Sequence, residues 1–365
     1  MTKNAKIILL TVAVLLMIGI VMIYSTSAVY AFDKYGDSGY FVKRHLIYLA
    51  IGISLAVFCM SVPARGVSSN ARIIMLFCIL LLVIVLVPGI GTEAKGARRW
   101  LRFFGLGVQP SEIAKIGLII YLADLTARKK HLMQNLKFGF FPPLFVIGLT
   151  AGLVLIEPDL GTSVSILFIG FVVMFTAGAR FKHMLAITLS MIPVLALAIK
   201  CEPYRMKRVL LFLNPGKDPR GAGFQLMQSF IALGSGGLLG VGLGASRQKL
   251  FYLPEAHTDF IFSIIGEELG FLGAASVLLL FAVLIWFLLR LSFKIMDEFA
   301  SRVVLGISVM IAFEVMVNIG VSIGVLPTKG LPLPFISYGG SSLVCHMAAI
   351  GLVFNMARGA ETRGG

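Results

Sequence analysis

The sequence predicts an all-α polytopic membrane protein of about ten transmembrane helices, organised as a single domain over residues 1–365. Three observations carry that prediction. Apolar residues make up 58% of the chain and charged ones only 13%, where a soluble domain carries roughly 25%. Mean hydropathy is +0.95. Ten apolar runs, at about 7–31, 45–62, 73–90, 110–126, 139–157, 160–178, 184–200, 260–289, 303–326 and 340–357, approach or exceed the ~20 residues that cross a bilayer. Low-complexity tracts and separate soluble domains are absent.

The first run follows Lys3 and Lys6, and Ala28 to Ala31 loosely resembles a cleavage site. The run is longer than the roughly 7–15 apolar residues of a signal peptide, so it reads as a retained first helix. Arg65 and Arg72 stand between the second and third runs. The fourth carries Glu112 and Lys115; their three-residue spacing puts them on one helical face, as a structural ion pair that shapes a cavity. Glu157-Pro158-Asp159 separates the fifth run from the sixth, and Gly178 the sixth from the seventh. Asp159 is placed either to cap the next helix or to line a groove.

A long segment, about 200–259, joins the seventh and eighth runs. Within it Phe224 to Leu243 is apolar and glycine-rich but short and interrupted, the pattern of an interfacial or re-entrant piece tucked against protein. No Gly-Lys-Ser/Thr follows these glycines, so they do not form a nucleotide loop. The eighth run opens behind His257 and Asp259 and carries Glu267 and Glu268. Ionisable groups at membrane depth mark sites or pathways. Glu267 lies eight residues beyond Asp259, ~12 Å along a helix, too deep for direct chemistry. With Glu268 it is expected either to pair with other buried polar groups or to tune the site from below. The ninth run holds Glu314, and the tenth, which opens at Ser337 to Ser342, holds His346 as a partner for it.

The positive-inside rule puts both termini in the cytoplasm. Lys3, Lys6, Arg358 and Arg363 then share that side with Arg65, Arg72, Arg128 to Lys130, Arg180, Lys182, Arg290, Lys294 and Arg302. The outer segments, about 91–109 and 200–259, are basic as well. Contact with anionic headgroups, worth about 1 kcal/mol per residue, explains that charge, and so does an anionic ligand such as a diphosphate. A net charge of +15 would also suit nucleic acid, but most of the chain lies in lipid. Cys59, Cys78, Cys201 and Cys345 show no metal or disulfide spacing.

Five separated motifs, covering essentially the whole chain, resemble the SEDS (shape, elongation, division, sporulation) proteins of bacteria. They are Gly96 to Trp100 with Gln109 to Lys115, Glu157 to Gly161, Asn214 to Gln225, Tyr252 to Gly270, and Leu326 to Ser342. Pro254 to Asp259 followed by Ile-Ile-Gly-Glu-Glu is similar to the division branch of that family rather than the rod-shape branch. The resemblance implies a peptidoglycan glycosyltransferase that polymerises lipid II at the outer face of the cytoplasmic membrane, at the division septum. It implies Asp259 as the base that takes the proton of the attacking sugar hydroxyl; on spacing alone Asp259 would be an acid in the first turn of its helix. Lys329 is the first candidate for binding the diphosphate, with Arg205, Arg208 and Arg98 next and headgroup contact the alternative for each. His257 is either an orienting partner or a satisfied interfacial histidine. Ser337 either offers a donor to phosphate or caps the last helix.

A class B penicillin-binding transpeptidase and other division proteins are the implied partners. No cofactor is called for, although a divalent cation, Mg2+ or Mn2+, could assist the diphosphate. Lys95 and Glu314 depart from the family pattern, which often has Asn and Gln there. A lipid II flippase and a non-catalytic division scaffold are the rival readings. The flippase predicts ligands near the midplane of broken helices and inverted repeats, and no repeat is visible between the halves. The scaffold needs no charged cavity.

Overall fold

The computed structural model describes residues 3–94, 97–103, 105–201, 206, 222–250, 253, 256–328 and 330–361. Each of the ten apolar runs falls on a helix. The first helices are α1 (Lys3–Tyr35), α2 (Tyr40–Ser61), the short α3 (Ala64–Ser69) and α4 (Ala71–Leu86). Next come α5 (Pro110–Arg128), α6 (Phe141–Ile156), α7 (Leu160–Thr176) and α8 (Phe181–Lys200). After α9 (Ala222–Ser235) the chain ends in α10 (Ile261–Lys294), α11 (Glu298–Ser322) and α12 (Gly340–Glu361). Among the described residues six helical stretches are long and apolar enough to cross a bilayer, and α4 and α7 are shorter apolar helices. The charges of α5 keep it outside that group, yet it is buried on nearly every side. Its Glu112, Lys115 and Asp124 side chains face protein rather than lipid.

Two hydrophobic clusters make the core. One gathers α1, α2, α10, α11 and α12; the other gathers α4, α5, α6 and α7, with Leu305 of α11 reaching into it. α11 therefore stands between them. The broadest helix contact is α12 along α2. Small residues let these two backbones approach, the usual means of association in lipid: a Cβ at Gly351 would strike the Ala56 backbone, and one at Gly52 would lie 3.1 Å from Met347.

The all-α expectation fails between α4 and α5. Thr92–Ala94 (β1), Ala97–Phe103 (β2) and Leu106–Val108 (β3) form an antiparallel sheet in the order β1-β2-β3. Thr92 pairs with Trp100, and Leu101 with Val108. The β2–β3 turn uses Gly105 at φ 78°, a left-handed conformation that glycine adopts without penalty. Leu101 is buried while Arg98 is exposed, so the sheet is one-sided. Strands this short, dominated by arginines, read as a basic loop.

The second difference lies in the eighth run, expected to be one uninterrupted helix. α10 breaks at Gly270, where φ is 69° and ψ −170°. In a regular helix the carbonyls of Glu267 and Glu268 would accept from the N–H groups of Phe271 and Leu272, four residues on. Here the glycine-rich segment after α9 is laced between them. Val241 N–H donates to Glu267 O at 3.0 Å and Gly242 N–H to Glu268 O at 3.1 Å, while Phe271 N–H donates to Gly237 O at 2.9 Å and Leu272 N–H to Leu238 O at 3.2 Å. Two helical bonds are replaced by four between segments. An unpaired peptide group away from water costs roughly 2–7 kcal/mol, so the break stands only because the segment fills it.

Such an approach leaves no room for side chains. A Cβ at Gly270 would collide with the backbone of Gly240, Leu238 and Leu239, and a positive φ costs an L-residue about 1–2 kcal/mol besides. Gly270→Ala is expected to lower the melting temperature of the detergent-solubilised protein by several degrees. Gly66→Ala, where a Cβ meets nothing within 4 Å, should leave it unchanged. Equal melting temperatures for the two variants would show that the lacing carries no stability.

Candidate functional site

Asp259 sits in the turn that precedes α10, not in the helix's first turn, because α10 starts at Ile261 with Phe260 at its N-cap. Three successive carbonyls of this turn are held from outside. Tyr338 N–H donates to His257 O at 2.9 Å, the Ser337 hydroxyl to Thr258 O at 2.6 Å, and the Asn318 amide to Asp259 O at 3.1 Å. Ser337 Oγ also accepts from Leu333 N–H at 2.9 Å. Its single proton is thus committed to Thr258, which removes it as a donor to phosphate. The same Asn318 Nδ2 donates to Leu331 O at 2.8 Å, tying the loop before α12 to the Asp259 turn.

That loop passes directly over the carboxylate. A Cβ at Gly330 would lie 2.9 Å from Asp259 Oδ2, so glycine lets the backbone approach. Lys329, the first candidate for the diphosphate, lies outside the described residues, as do Lys95, Arg205 and Arg208. The His257 ring sits among Tyr30 of α1, Phe41 of α2 and Tyr338, at centroid distances of 6.0, 4.7 and 5.8 Å. Asp259, Thr258 and His257 are each partly exposed.

Beneath this turn the bundle is ionic. Lys115 Nζ lies 2.9 Å from Glu112 Oε1 and also pairs with Glu314. Glu314 Oε2 is 2.7 Å from His346 Nε2, and His346 Nδ1 is 2.7 Å from Ser342 O. The pair expected within α5 is therefore one corner of a four-residue network joining α5, α11 and α12. All four side chains are buried. Glu314 lies one turn, ~6 Å, from Asn318 on the same face of α11.

Glu267 and Glu268 hold the laced segment by their side chains as well. The Glu267 carboxylate accepts from Arg247 N–H at 3.0 Å and from the Ser246 hydroxyl. The Glu268 carboxylate takes Lys249 Nζ at 2.8 Å and Ser25 Oγ of α1 at 2.7 Å.

At the α6–α7 junction Asp159 caps α7, accepting from Thr162 N–H at 3.1 Å and from its hydroxyl at 2.9 Å. Arg98 is exposed and lies 3.7 Å from Glu93. Its neighbour Arg99 turns inward instead, donating to the carbonyls of Glu157 at 2.9 Å and Pro158 at 2.6 Å, with Asp159 3.9 Å away. Which of two adjacent arginines faces inward depends on strand register, and the sheet was not expected. Glu157 follows the last residue of α6 and is fully buried. Among the described residues neither of its carboxylate oxygens has a hydrogen-bond partner. Burial first, then Asp159, push its carboxyl up to about 8 against the pull of Arg99. Among the described residues no three His, Cys, Asp or Glu side chains gather as a metal cluster.

The family model described as "Cell cycle protein", for FtsW, RodA and SpoVE, matches residues 5–362. Stage V sporulation protein E of Bacillus subtilis is 42% identical over 357 residues, 98% of each chain. A probable peptidoglycan glycosyltransferase FtsW of Trichlorobacter lovleyi is 42% identical over 353 residues, 97% of this chain and 93% of that one. Among solved structures, a chain from "Structural coordination of polymerization and crosslinking by a peptidoglycan synthase complex" superposes with a TM-score of 0.79 at 31% identity, covering 96% of each chain. The rod shape determining protein RodA of Thermus thermophilus superposes at 0.70 with 28% identity, over 97% of this chain and 96% of that one.

The Glu157 carboxyl has a definite pH signature. Its folded pKa lies above its ordinary value of 4.5, so the folded state binds the extra proton and stability falls as pH rises. The contribution is complete below about 4.5 and lost through about 8. Melting temperatures taken from pH 5 to 9 should fall more steeply for the wild type than for Glu157→Gln, with the variant the more stable at pH 9. Parallel curves would mean that Glu157 is already ionised in the fold.

Proposed function

Because the chain belongs to the FtsW/RodA/SpoVE family of cell cycle proteins, we propose that it is a membrane-embedded peptidoglycan glycosyltransferase that polymerises lipid II for septal cell-wall synthesis. Its relatives are named for that activity. The reading places both termini in the cytoplasm and residues of about 200–259, with the turn of Asp259, at the outer face. There the disaccharide of lipid II is presented. A class B penicillin-binding transpeptidase crosslinks the strands and, with other division proteins, locates the enzyme at the septum.

In this reading Asp259 takes the proton from an acceptor sugar hydroxyl. The freed oxygen bonds to the anomeric carbon of a second lipid II, and the bond to the undecaprenyl diphosphate breaks, its electron pair leaving with the phosphate oxygen. Direct displacement inverts the anomeric centre and needs one base. A general base must be ionised and held within hydrogen-bond reach of the proton it takes. The observation that carries the proposal is the turn itself: a carboxylate whose backbone is held at three successive carbonyls, partly exposed, beneath the loop of Gly330. Lys329, next to Gly330 in sequence, is the candidate to neutralise the departing diphosphate, with Arg205 and Arg208 from the outer segment. Arg98 is bound to Glu93 and is the weakest of the four. His257, amid its aromatic neighbours, orients the mouth of the site.

The broken α10 favours a second reading, since discontinuous helices also build transporter sites. One assay separates the two. Purified lipid II is incubated with wild type or Asp259→Ala, each with its cognate transpeptidase, and glycan strands are resolved by gel. The wild type is expected to polymerise, and the variant, melting at the same temperature, to lose about 10²–10⁴-fold of the rate. Equal polymer from both would remove Asp259 from the chemistry. Absence of polymer with lipid II moving across proteoliposomes would establish the transporter.

A further inference from the structure

Resting on the glycosyltransferase reading, we infer that Asn318 of α11 is a positioning residue for the reaction: it holds the Asp259 turn and the loop of Gly330 at a fixed separation, with Ser337 as the second clamp. Asn318 is fully buried, and its one amide nitrogen reaches two carbonyls from different segments, Asp259 O at 3.1 Å and Leu331 O at 2.8 Å. Two carbonyl acceptors require a group with two protons on one atom, and among neutral side chains only Asn and Gln offer one. The amide's orientation is thereby fixed. Ser337 grips the neighbouring Thr258 O at 2.6 Å while accepting from Leu333 N–H at 2.9 Å. It thus bridges the same two segments from the other side.

The surroundings point to placement rather than bulk stability. Asn318 Oδ1 is buried with no hydrogen-bond partner among the described residues. A buried acceptor left empty is unfavourable, so the asparagine is not there for its oxygen. What the asparagine supplies is the pair of donors. Its own backbone is braced: Ser322 Oγ donates to Asn318 O at 3.0 Å, and Ser229 Oγ of α9 donates to Ser322 O at 2.7 Å while lying 2.6 Å from Ser263 Oγ of α10. One turn the other way, Glu314 belongs to the ionic network. The clamp is therefore mounted on a helix tied to its neighbours on both sides of the contact. Asn318 touches no reacting atom; it acts through the place it gives Asp259 relative to the loop above it.

The test is steady-state polymerisation of purified lipid II by the full chain with its transpeptidase, alongside melting temperatures, for wild type, Asn318→Asp, Asn318→Leu and Ser322→Ala. Asn318→Asp keeps the shape and turns an oxygen towards both carbonyls. A displacement of about 1 Å costs on the order of 10²-fold, so kcat is expected to fall about 10–100-fold with KM within about threefold. Ser322→Ala, which removes a brace but leaves the clamp, should lower the melting temperature and keep kcat. A folded Asn318→Asp with wild-type kcat, or a change confined to KM, overturns the inference. If neither Asn318 variant folds, Ser337→Ala is judged by the same split, and an unchanged kcat there overturns it. An inactive wild type would instead overturn the glycosyltransferase reading and the inference with it. An active wild type with indifferent variants overturns the inference alone.

Discussion

A peptide group in hydrocarbon has no water to turn to, so any break in a membrane helix must be closed by another part of the chain. At Gly270 that closing piece is the glycine-rich segment after α9, and its placement decides much else. The segment meets Glu267 and Glu268 with both backbone and side-chain donors. It draws in Ser25 of α1, and it fixes the upper part of α10 directly below the Asp259 turn. The same rule governs the charges shared by α5, α11 and α12. Glu112, Lys115, Glu314 and His346 sit together because each would be costly alone in that medium.

α11 is where these demands meet. It touches both hydrophobic clusters and carries Glu314, Asn318 and Ser322 at intervals of four. One face of the helix thus runs from the buried ionic network, through the amide beneath the proposed base, to the hydroxyls shared with α9 and α10. The site is built on helices, and the loops that carry Asp259 and Gly330 are fastened to them by hydrogen bonds rather than by packing alone.

How much of this was legible in the sequence depends on the range of the interaction. All ten apolar runs became helices because hydropathy is a local property. The Glu112–Lys115 contact was legible because its spacing is local too, and Glu314 and His346 stood out because a carboxylate and an imidazole in apolar runs are conspicuous. Asp259 was singled out by motif. Asn318 was not: a neutral asparagine within an apolar run carries no charge to notice, and its partners, Asp259 and Leu331, are 59 and 13 residues away. The break at Gly270 was hidden for the same reason. A glycine inside a long apolar helix is unremarkable until the segment that crosses it is known. The sheet was concealed by its brevity, and with it the choice of Arg99 over Arg98 as the residue that turns inward.

The lacing at Gly270 also sets an order of events. Residues 236–242 are synthesised before residues 267–272, the partners that their peptide groups have in the fold. Until those partners are in place, the segment's peptide groups are satisfied by water and not by hydrocarbon. Its final position requires α10, because four of the hydrogen bonds that hold it run to residues 267–272. The segment's last contacts are thus made only when α10 is there to meet them, and a Cβ at 236, 240 or 270 would strike backbone in that contact.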